Sequence, residues 1–281
     1  MFSDKLRFFA KFLPGVLKFA STLLLERIQA FAHRFTYKSL PSSQNVVVIG
    51  GSFAGACLAK RFAESLPTGY KVILIEKNSH FNYTFNFPRY SVVQNREQKA
   101  FIPYDGLMKN APEGIFEQIR DFVTGISEGE VELASGRSIP FAYLAIASGV
   151  TQSPPAKLLA SEKFEACAEL KTLQTRIREA KTIAIVGAGA VGVQMAGDIK
   201  TFYPKKSVNL IHSRQQLLST FGPKLHEYVM GKFNEMGVEV RLGERPRLPR
   251  SPSWGPVKLE FRDGRSEDFD LVVKLASWRR K

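Results

Sequence analysis

The sequence predicts an α/β fold in which two similar units follow an N-terminal amphipathic helical segment. Two β-branched runs, each followed at once by a glycine-rich turn and a helix-forming stretch, support the two units. Apolar residues between positions 2 and 35 recur three or four apart, as one face of a helix requires. The chain has 281 residues, of which 44% are hydrophobic, so it is long and apolar enough for two packed domains.

Residues 1–43 form the first predicted region, a basic helical segment. Lysines and arginines interrupt its apolar face, so no run of about 18 uncharged apolar residues remains and a membrane-spanning helix is not expected. Pro14 and Gly15 are expected to kink or split the helix, which would leave two short amphipathic pieces. A basic, phenylalanine-rich helix is typical of peripheral contact with a membrane through residues 2–35. The alternatives are mitochondrial targeting and packing on the protein's own surface, and the location is otherwise cytoplasmic.

The first glycine turn follows a β-branched apolar run, which predicts a strand buried on both faces. Gly50, Gly51, Ser52 and Gly55 lie between this strand and a helix, and the next strand ends at Glu76. Glycine lets backbone amides at the start of a helix approach a pyrophosphate. A carboxylate at the strand end can accept hydrogen bonds from both ribose hydroxyls. These are the features of a Rossmann-like dinucleotide-binding unit, although Ser52 replaces the second glycine of the fingerprint.

The second glycine turn has the complete fingerprint. Gly187, Gly189 and Gly192 follow a β-branched strand, and the next strand ends at His212 with Arg214 two residues later. An acid at that strand end would repel a ribose 2′-phosphate, whereas an arginine could pair with it. We therefore expect NADPH to be accepted as well as NADH. The alternative for Arg214 is a solvated loop charge.

Two such turns in one chain imply two bound dinucleotides. We assign the first Rossmann-like domain to residues 44–155 and the second to residues 156–281, with Pro154 and Pro155 at the crossing. Before this crossing, an apolar strand ends in the small residues Ser148 and Gly149.

Composition excludes several other classes of protein. The formal net charge is +14, but the excess lies mainly at the two ends of the chain, so nucleic acid is not expected as the main ligand. The two cysteines, Cys57 and Cys167, cannot build a disulfide framework. The four histidines are not spaced as metal ligands, so no metal site is expected.

Together, these motifs resemble the two-dinucleotide-binding-domain flavoproteins of the pyridine nucleotide-disulfide oxidoreductase superfamily. Within that superfamily the chain is similar to the apoptosis-inducing-factor-like NAD(P)H:quinone oxidoreductases, over about residues 44–273. The resemblance implies FAD in the first unit, NADH or NADPH in the second, and a second domain inserted in the first. It also places Ser148 and Gly149 beside the flavin and Pro88 and Arg89 near it; alternatively, Arg89 is an ordinary surface charge.

The implied activity is hydride transfer from NAD(P)H to bound flavin, and from there to a quinone or another small electron acceptor. No catalytic side chain is assigned, because the cofactors carry this chemistry. Residues 81–85 contain no cysteine pair, which disfavours disulfide substrates. Gln194 stands where related enzymes commonly have a glutamate near the nicotinamide pocket.

The end of the sequence departs from the family pattern. Residues 274–281 do not match the Thr-Gly turn expected after the last strand of the inserted domain, and the segment that completes the FAD domain is expected to be missing. Such a truncation would leave an unpaired strand edge and an exposed apolar surface. The alternative function is therefore a catalytically impaired nucleotide-binding module at a membrane surface.

Overall fold

The computed structural model describes residues 2–150, 152–248 and 256–275, with side chains from residue 6 onward. The chain divides into two compact units. Unit 1 comprises Met1–Lys77 and Pro103–Gly149, and unit 2 comprises Asn78–Ile102 and Val150–Lys281. Most of the predicted departure at the end of the chain falls on residues 276–281, which lie outside the described residues.

The secondary structure confirms the α/β class. The described α-helices are α1 (Phe2–Thr36), α2 (Phe53–Ala63), α3 (Phe87–Tyr90), α4 (Lys163–Glu179), α5 (Ala190–Phe202) and α6 (Pro223–Met236). The described strands are β1 (Gln44–Ile49), β2 (Tyr70–Ile75), β3 (Phe81–Asn82), β4 (Phe101–Ile102), β5 (Phe116–Ile119), β6 (Val123–Ser127), β7 (Glu130–Leu133), β8 (Ser138–Pro140), β9 (Tyr143–Ile146), β10 (Thr182–Val186), β11 (Ser207–His212), β12 (Val238–Leu242), β13 (Val257–Glu260), β14 (Ser266–Phe269) and β15 (Leu271–Lys274).

Unit 1 is built on a four-stranded parallel sheet with the order β5-β2-β1-β9. Its central strands are continuous apolar runs because both faces are covered, and Val47 and Leu74 are fully buried. A three-stranded antiparallel sheet, β6-β7-β8, packs its apolar side chains into the same core.

Unit 2 repeats this plan in a second parallel sheet with the order β12-β11-β10-β15. Strand β10 takes the place of β1, β11 that of β2, and β15 that of β9. Helices α4, α5 and α6 contribute buried side chains to the unit, and the β13-β14 hairpin packs against the sheet. The two sheets confirm the predicted pair of Rossmann-like units.

The segment Asn78–Ile102 belongs to unit 2, although it lies between β2 and β5 in the sequence. Phe87 and Phe101 are buried in one cluster with Leu170 of α4. On the same helix, the Gln174 amide donates to the carbonyl oxygens of Tyr90 and Val93 at 2.7 and 3.1 Å. The predicted boundary at residue 155 does not anticipate this, because an apolar pattern does not show which distant element it packs against.

Helix α1 differs from its prediction in two respects. It is one continuous helix from Phe2 to Thr36, so the expected split at Pro14 is wrong. A proline removes one backbone hydrogen bond, at a cost of about 3 kcal/mol, and here the remaining turns continue the helix. Leu6–Thr36 also includes a window with a mean hydropathy of 1.5, so by length and composition it could cross a membrane. A run of uncharged residues is thus too strict a criterion for this helix, whose apolar window tolerates up to two charged side chains.

Two candidate dinucleotide sites

The first candidate site lies at the carboxyl ends of β1 and β2, where Gly50 begins the turn. The Gly50 amide donates to the Ile75 carbonyl oxygen at 2.8 Å, and its φ of +99° is a conformation that favours glycine. A Cβ on Gly50 would lie 2.5 Å from the Ala147 carbonyl oxygen, and one on Gly55 would lie 1.7 Å from the Gly50 carbonyl oxygen. Glycine is required at both positions because the helix, the turn and β9 approach so closely.

Glu76 is buried beneath this turn. Its carboxylate accepts the backbone N–H of Gly51, and the Tyr104 hydroxyl donates to the Gly51 carbonyl oxygen at 2.8 Å. Burial, and secondly the charge of Glu76, raises the pKa of Tyr104 well above its ordinary value, so the phenol stays protonated as a donor. Glu76 was predicted from its place at the strand end, whereas Tyr104 was not predicted because it belongs to no recognisable motif.

Ser52 occupies the start of α2 with φ −79° and ψ −163°, an extended conformation open to any residue. Its exposed side chain makes no capping hydrogen bond. The missing second glycine therefore imposes no backbone strain. Ser148 also reaches this turn, because its Cα is 3.2 Å from the position of a Cβ on Gly50. Gly149 follows with a φ of +71°.

The second candidate site has the same construction at the carboxyl ends of β10 and β11. The Gly187 amide donates to the Ile211 carbonyl oxygen at 2.9 Å, and a Cβ on Gly192 would lie 1.9 Å from the Gly187 carbonyl oxygen. At Gly189, by contrast, an added Cβ would meet no atom within 4 Å. The first glycine thus provides a φ of +121°, which favours glycine, and the third allows close packing of the helix on the turn, whereas the second leaves open space around its Cα.

His212 is the counterpart of Glu76 in this second site. The Ala188 amide donates to His212 Nδ1 at 3.3 Å, as the Gly51 amide donates to Glu76. Because Nδ1 accepts, the ring proton lies on Nε2. Burial, and secondly the charge of Arg214, lowers the pKa of His212, so the ring is neutral at pH 7. The two strand ends therefore carry an acceptor in unit 1 and an N–H donor in unit 2.

Arg214 is exposed in the loop after β11 and donates to the Ser219 hydroxyl. The Leu218 amide connects this loop to the glycine turn by donating to the Ala188 carbonyl oxygen at 3.0 Å. The Leu217 amide donates to His226 Nδ1 at 3.1 Å. His226 lies on α6, and its contact with the loop was not predicted because no sequence spacing links the two.

Pro88 and Arg89 lie in α3, within unit 2. Pro88 is buried, and the Arg89 guanidinium donates twice to Asp198 Oδ1, at 3.2 and 2.9 Å. Asp198 is 6% exposed and lies on α5, the helix that begins at the second glycine turn. Arg89 is therefore paired with a buried carboxylate, and its place beside the flavin remains a prediction.

Removing Arg89 should cost more stability than removing the charge of Asp198. In Arg89→Met, the buried carboxylate would lose its ion pair with the guanidinium, and we expect a loss of about 2–3 kcal/mol of unfolding free energy. In Asp198→Asn, the guanidinium is already more than half exposed and stays hydrated, so about 1 kcal/mol is expected. Urea denaturation of both variants measures the difference; equal losses would contradict this account.

The neutral state of His212 should make stability depend on pH. A folded pKa below the ordinary 6.5 means that the unfolded chain binds the proton more readily. The contribution of neutral His212 to the free energy of unfolding is therefore complete above about pH 6.5 and is lost as the pH falls below that value. We expect the midpoint of thermal unfolding, measured without nucleotide, to fall less between pH 7.5 and pH 5.5 in His212→Gln than in the natural chain. Parallel curves would contradict this assignment.

Both turns fit a dinucleotide. Neither α2 nor α5 has a side-chain hydrogen bond at its N-cap, so the amides of each first turn are not capped by a side chain. Such amides, at the positive end of a helix, bind pyrophosphate. Across the part of the chain that the structure describes, no group of three His, Cys, Asp or Glu side chains could hold a metal ion.

The fold and these two turns define a protein with two dinucleotide-binding units. The sequence profile of the family described as pyridine nucleotide-disulphide oxidoreductase matches residues 44–279, and the chain belongs to this family. This assignment confirms the predicted family, and FAD and NAD(P)H are the cofactors of that family.

Several known proteins are similar to this chain. Fe-regulated protein 8 of Mycosarcoma maydis is 33% identical over 258 residues, which cover 84% of this chain and 65% of the relative. Ferroptosis suppressor protein 1 of Mus musculus is 28% identical, with 82% and 61% covered. Among solved structures, an engineered water-forming NADPH oxidase derived from the Lactobacillus brevis NADH oxidase has a TM-score of 0.62 at 18% identity, with 84% and 54% covered. The chain thus spans less than two thirds of the length of these relatives.

Proposed function

We propose that this chain is an FAD-dependent oxidoreductase that takes a hydride from NAD(P)H and passes reducing equivalents to a quinone or another small acceptor. FAD occupies unit 1 through Gly50, Gly51, Ser52, Gly55 and Glu76. The nicotinamide dinucleotide occupies unit 2 through Gly187, Gly189, Gly192, His212 and Arg214.

The observation that carries this proposal is the paired construction of the two strand ends. In each unit, the second residue of the glycine turn donates its amide N–H to a side chain at the carboxyl end of the second strand. This side chain is Glu76, directly after β2, or His212, the last residue of β11. A carboxylate accepts hydrogen bonds from ribose hydroxyls, which suits the adenosine ribose of FAD. A neutral imidazole with its proton on Nε2 offers a donor instead, which suits an adenosine ribose that carries a phosphate.

The bound flavin would supply the redox chemistry by accepting a hydride and reducing the acceptor. The protein contributes binding and orientation. The turn amides bind the two pyrophosphates, and Glu76 and His212 bind the two adenosine riboses. Ser148 and Gly149 follow β9 beside the first turn.

The engineered NADPH oxidase supports acceptance of NADPH. Its substitutions remove an aspartate and introduce two arginines and one serine, and that enzyme binds NADPH. The present chain has no acid at the end of β11 and carries Ser213 and Arg214 immediately after His212. Removing a negative charge and supplying a guanidinium both favour a 2′-phosphate.

The acceptor is proposed to be a small molecule rather than a disulfide. Cys57 and Cys167 are both free thiols, and the chain has no other cysteine with which to form a redox pair. A quinone fits a reaction in which the flavin reduces its acceptor without a protein thiol.

The visible absorption spectrum of the purified chain tests the proposal. A flavin band that bleaches when NADH or NADPH is added without oxygen would establish the first half-reaction. Adding a soluble short-chain quinone should then restore the band. A colourless protein that still binds nucleotide would overturn the proposed activity.

One observation favours the alternative of a nucleotide-binding module without turnover. Strand β9 lies at the edge of the unit 1 sheet, and its side chains Tyr143 and Ile146 are more than 60% exposed. An open edge of this kind leaves apolar surface beside the first glycine turn that no element among the described residues covers. In that case, unit 2 would bind NADPH while unit 1 retained no flavin.

We also propose that α1 places the chain on a membrane. The helix is long and apolar, and none of its most apolar window is buried against the protein. The sequence also allowed this helix to pack on the protein's own surface, but the most apolar window makes no such buried contact.

A further inference from the structure

Helix α1 has two parts with different surroundings. In its C-terminal part, partly buried residues recur at Glu26, Ala30 and His33, and Tyr37 follows the helix at the same spacing. Glu26 pairs with Arg61 of α2, and His33 Nε2 donates to the Leu66 carbonyl oxygen at 2.7 Å. The Tyr37 hydroxyl donates to the Tyr70 carbonyl oxygen at 3.0 Å. We call these four residues the seam; they fix the end of α1 to unit 1.

The preceding residues, 6–25, make no such contacts with the described residues. Their leucines and phenylalanines are exposed, and most have more than half of their surface in contact with solvent. The most apolar window of the helix has none of its residues buried. A contiguous apolar surface of this length is a liability in water and marks a site of interaction.

The charges of this part lie on one face. Arg7, Lys11 and Lys18 are spaced four and seven residues apart, which places them on one line along a helix, and Thr22 continues it four residues later. The opposite face carries apolar side chains, with Phe9, Leu13, Val16 and Leu24 among them. A helix with a basic face and an apolar face is the pattern of a segment that lies in a membrane interface.

We infer that residues 6–25 lie in the plane of an anionic phospholipid surface, with Arg7, Lys11 and Lys18 against the headgroups and the seam fixing unit 1 to that surface. The inference rests on the proposed placement at a membrane and specifies the lipid and the geometry. Twenty residues of helix are about 30 Å long, which also matches a bilayer core. A spanning orientation, however, would put Lys11 and Lys18 in hydrocarbon, whereas the in-plane orientation places all three charges at the headgroups.

Vesicle cosedimentation of the full chain tests the lipid class. Binding to neutral phosphatidylcholine vesicles is compared with binding to vesicles containing 30 mol% phosphatidylglycerol. The anionic vesicles should bind the chain at least tenfold more tightly, because each basic side chain near the surface adds attraction. The variant R7E/K11E/K18E should lose this preference.

A matched control carries the same change of charge elsewhere. Lys205, Lys224 and Lys258 are exposed in unit 2, and K205E/K224E/K258E should keep the preference to within about threefold. The variant F9D/V16D should bind neither kind of vesicle, because it interrupts the apolar face. Circular dichroism and cooperative thermal unfolding of each variant confirm that the units remain folded.

Washing the bound protein separates the two orientations. A helix in the interface should be released by sodium carbonate at pH 11, whereas a spanning helix would stay with the vesicles and overturn the inference. Equal binding to neutral and anionic vesicles would also overturn it while leaving the membrane placement intact. Failure to bind any vesicle would overturn the placement itself. A stable dimer that survives in the presence of vesicles and is abolished by F9D/V16D would identify a second copy as the occupant and overturn both.

Discussion

The Gly55→Ala variant is expected to lose bound flavin and a large part of the stability of unit 1. A Cβ at this position would lie 1.7 Å from the Gly50 carbonyl oxygen and 3.3 Å from the Ala147 side chain. The clashing atom belongs to the backbone of the first glycine turn, so the turn and α2 must move apart. We expect a loss of about 3 kcal/mol or more of unfolding free energy. The absorbance ratio of flavin to protein and the urea denaturation midpoint measure both effects.

Gly106→Ala is the matched control for this substitution. Gly106 is an exposed residue of unit 1, and an added Cβ would meet no atom within 4 Å. It should retain flavin and unfold within about 1 kcal/mol of the natural chain. If Gly55→Ala retained flavin to the same extent as this control, close approach of α2 to the turn would not be a requirement of the site.

The His212→Glu variant is expected to bind NADPH about 100-fold more weakly while keeping its affinity for NADH to within about threefold. A carboxylate at the end of β11 would reproduce the arrangement of Glu76, since the Ala188 amide could still donate to it. It would accept from the hydroxyls of NADH but repel the 2′-phosphate of NADPH. A hundredfold change corresponds to about 2.7 kcal/mol. Titration calorimetry with each nucleotide measures the two affinities without requiring turnover.

His212→Gln separates charge from shape in this experiment. The amide side chain is neutral and can both accept from Ala188 and donate outward, so NADPH affinity should fall by less than about tenfold. Equal losses of NADPH affinity in both variants would show that the imidazole ring itself is needed. Unchanged NADPH affinity in His212→Glu would place the 2′-phosphate away from this strand end.

The local patterns of the sequence predicted the parts of each unit that one stretch of chain builds. A strand, a glycine turn and a helix follow one another within about twenty residues, so their spacing alone indicated Gly50, Gly55, Gly187 and Gly192. His212 at the end of β11 was predicted for the same reason, because β11 pairs in parallel with β10 and its carboxyl end therefore lies beside the turn.

Contacts between distant parts of the sequence could not be predicted in this way. Tyr104 reaches the first turn from a short 3₁₀-helix 53 residues after Gly51, and Asp198 meets Arg89 across 109 residues. Neither pairing leaves a periodic signal. The helix α1 was predicted in the correct place, but the penalty assigned to Pro14 was too large because the neighbouring turns could continue without it.

The segment Asn78–Ile102 packs in unit 2, whose other residues are made later, and this has a consequence for synthesis on the ribosome. Phe101 leaves the ribosome 69 residues before Leu170, its partner in α4. At roughly 5–20 residues per second, the segment waits for about 3–14 s before the helix that buries it has been made. During that interval its aromatic side chains have no native partner on α4, and this nascent intermediate is the stage at which chaperones would protect the chain from aggregation.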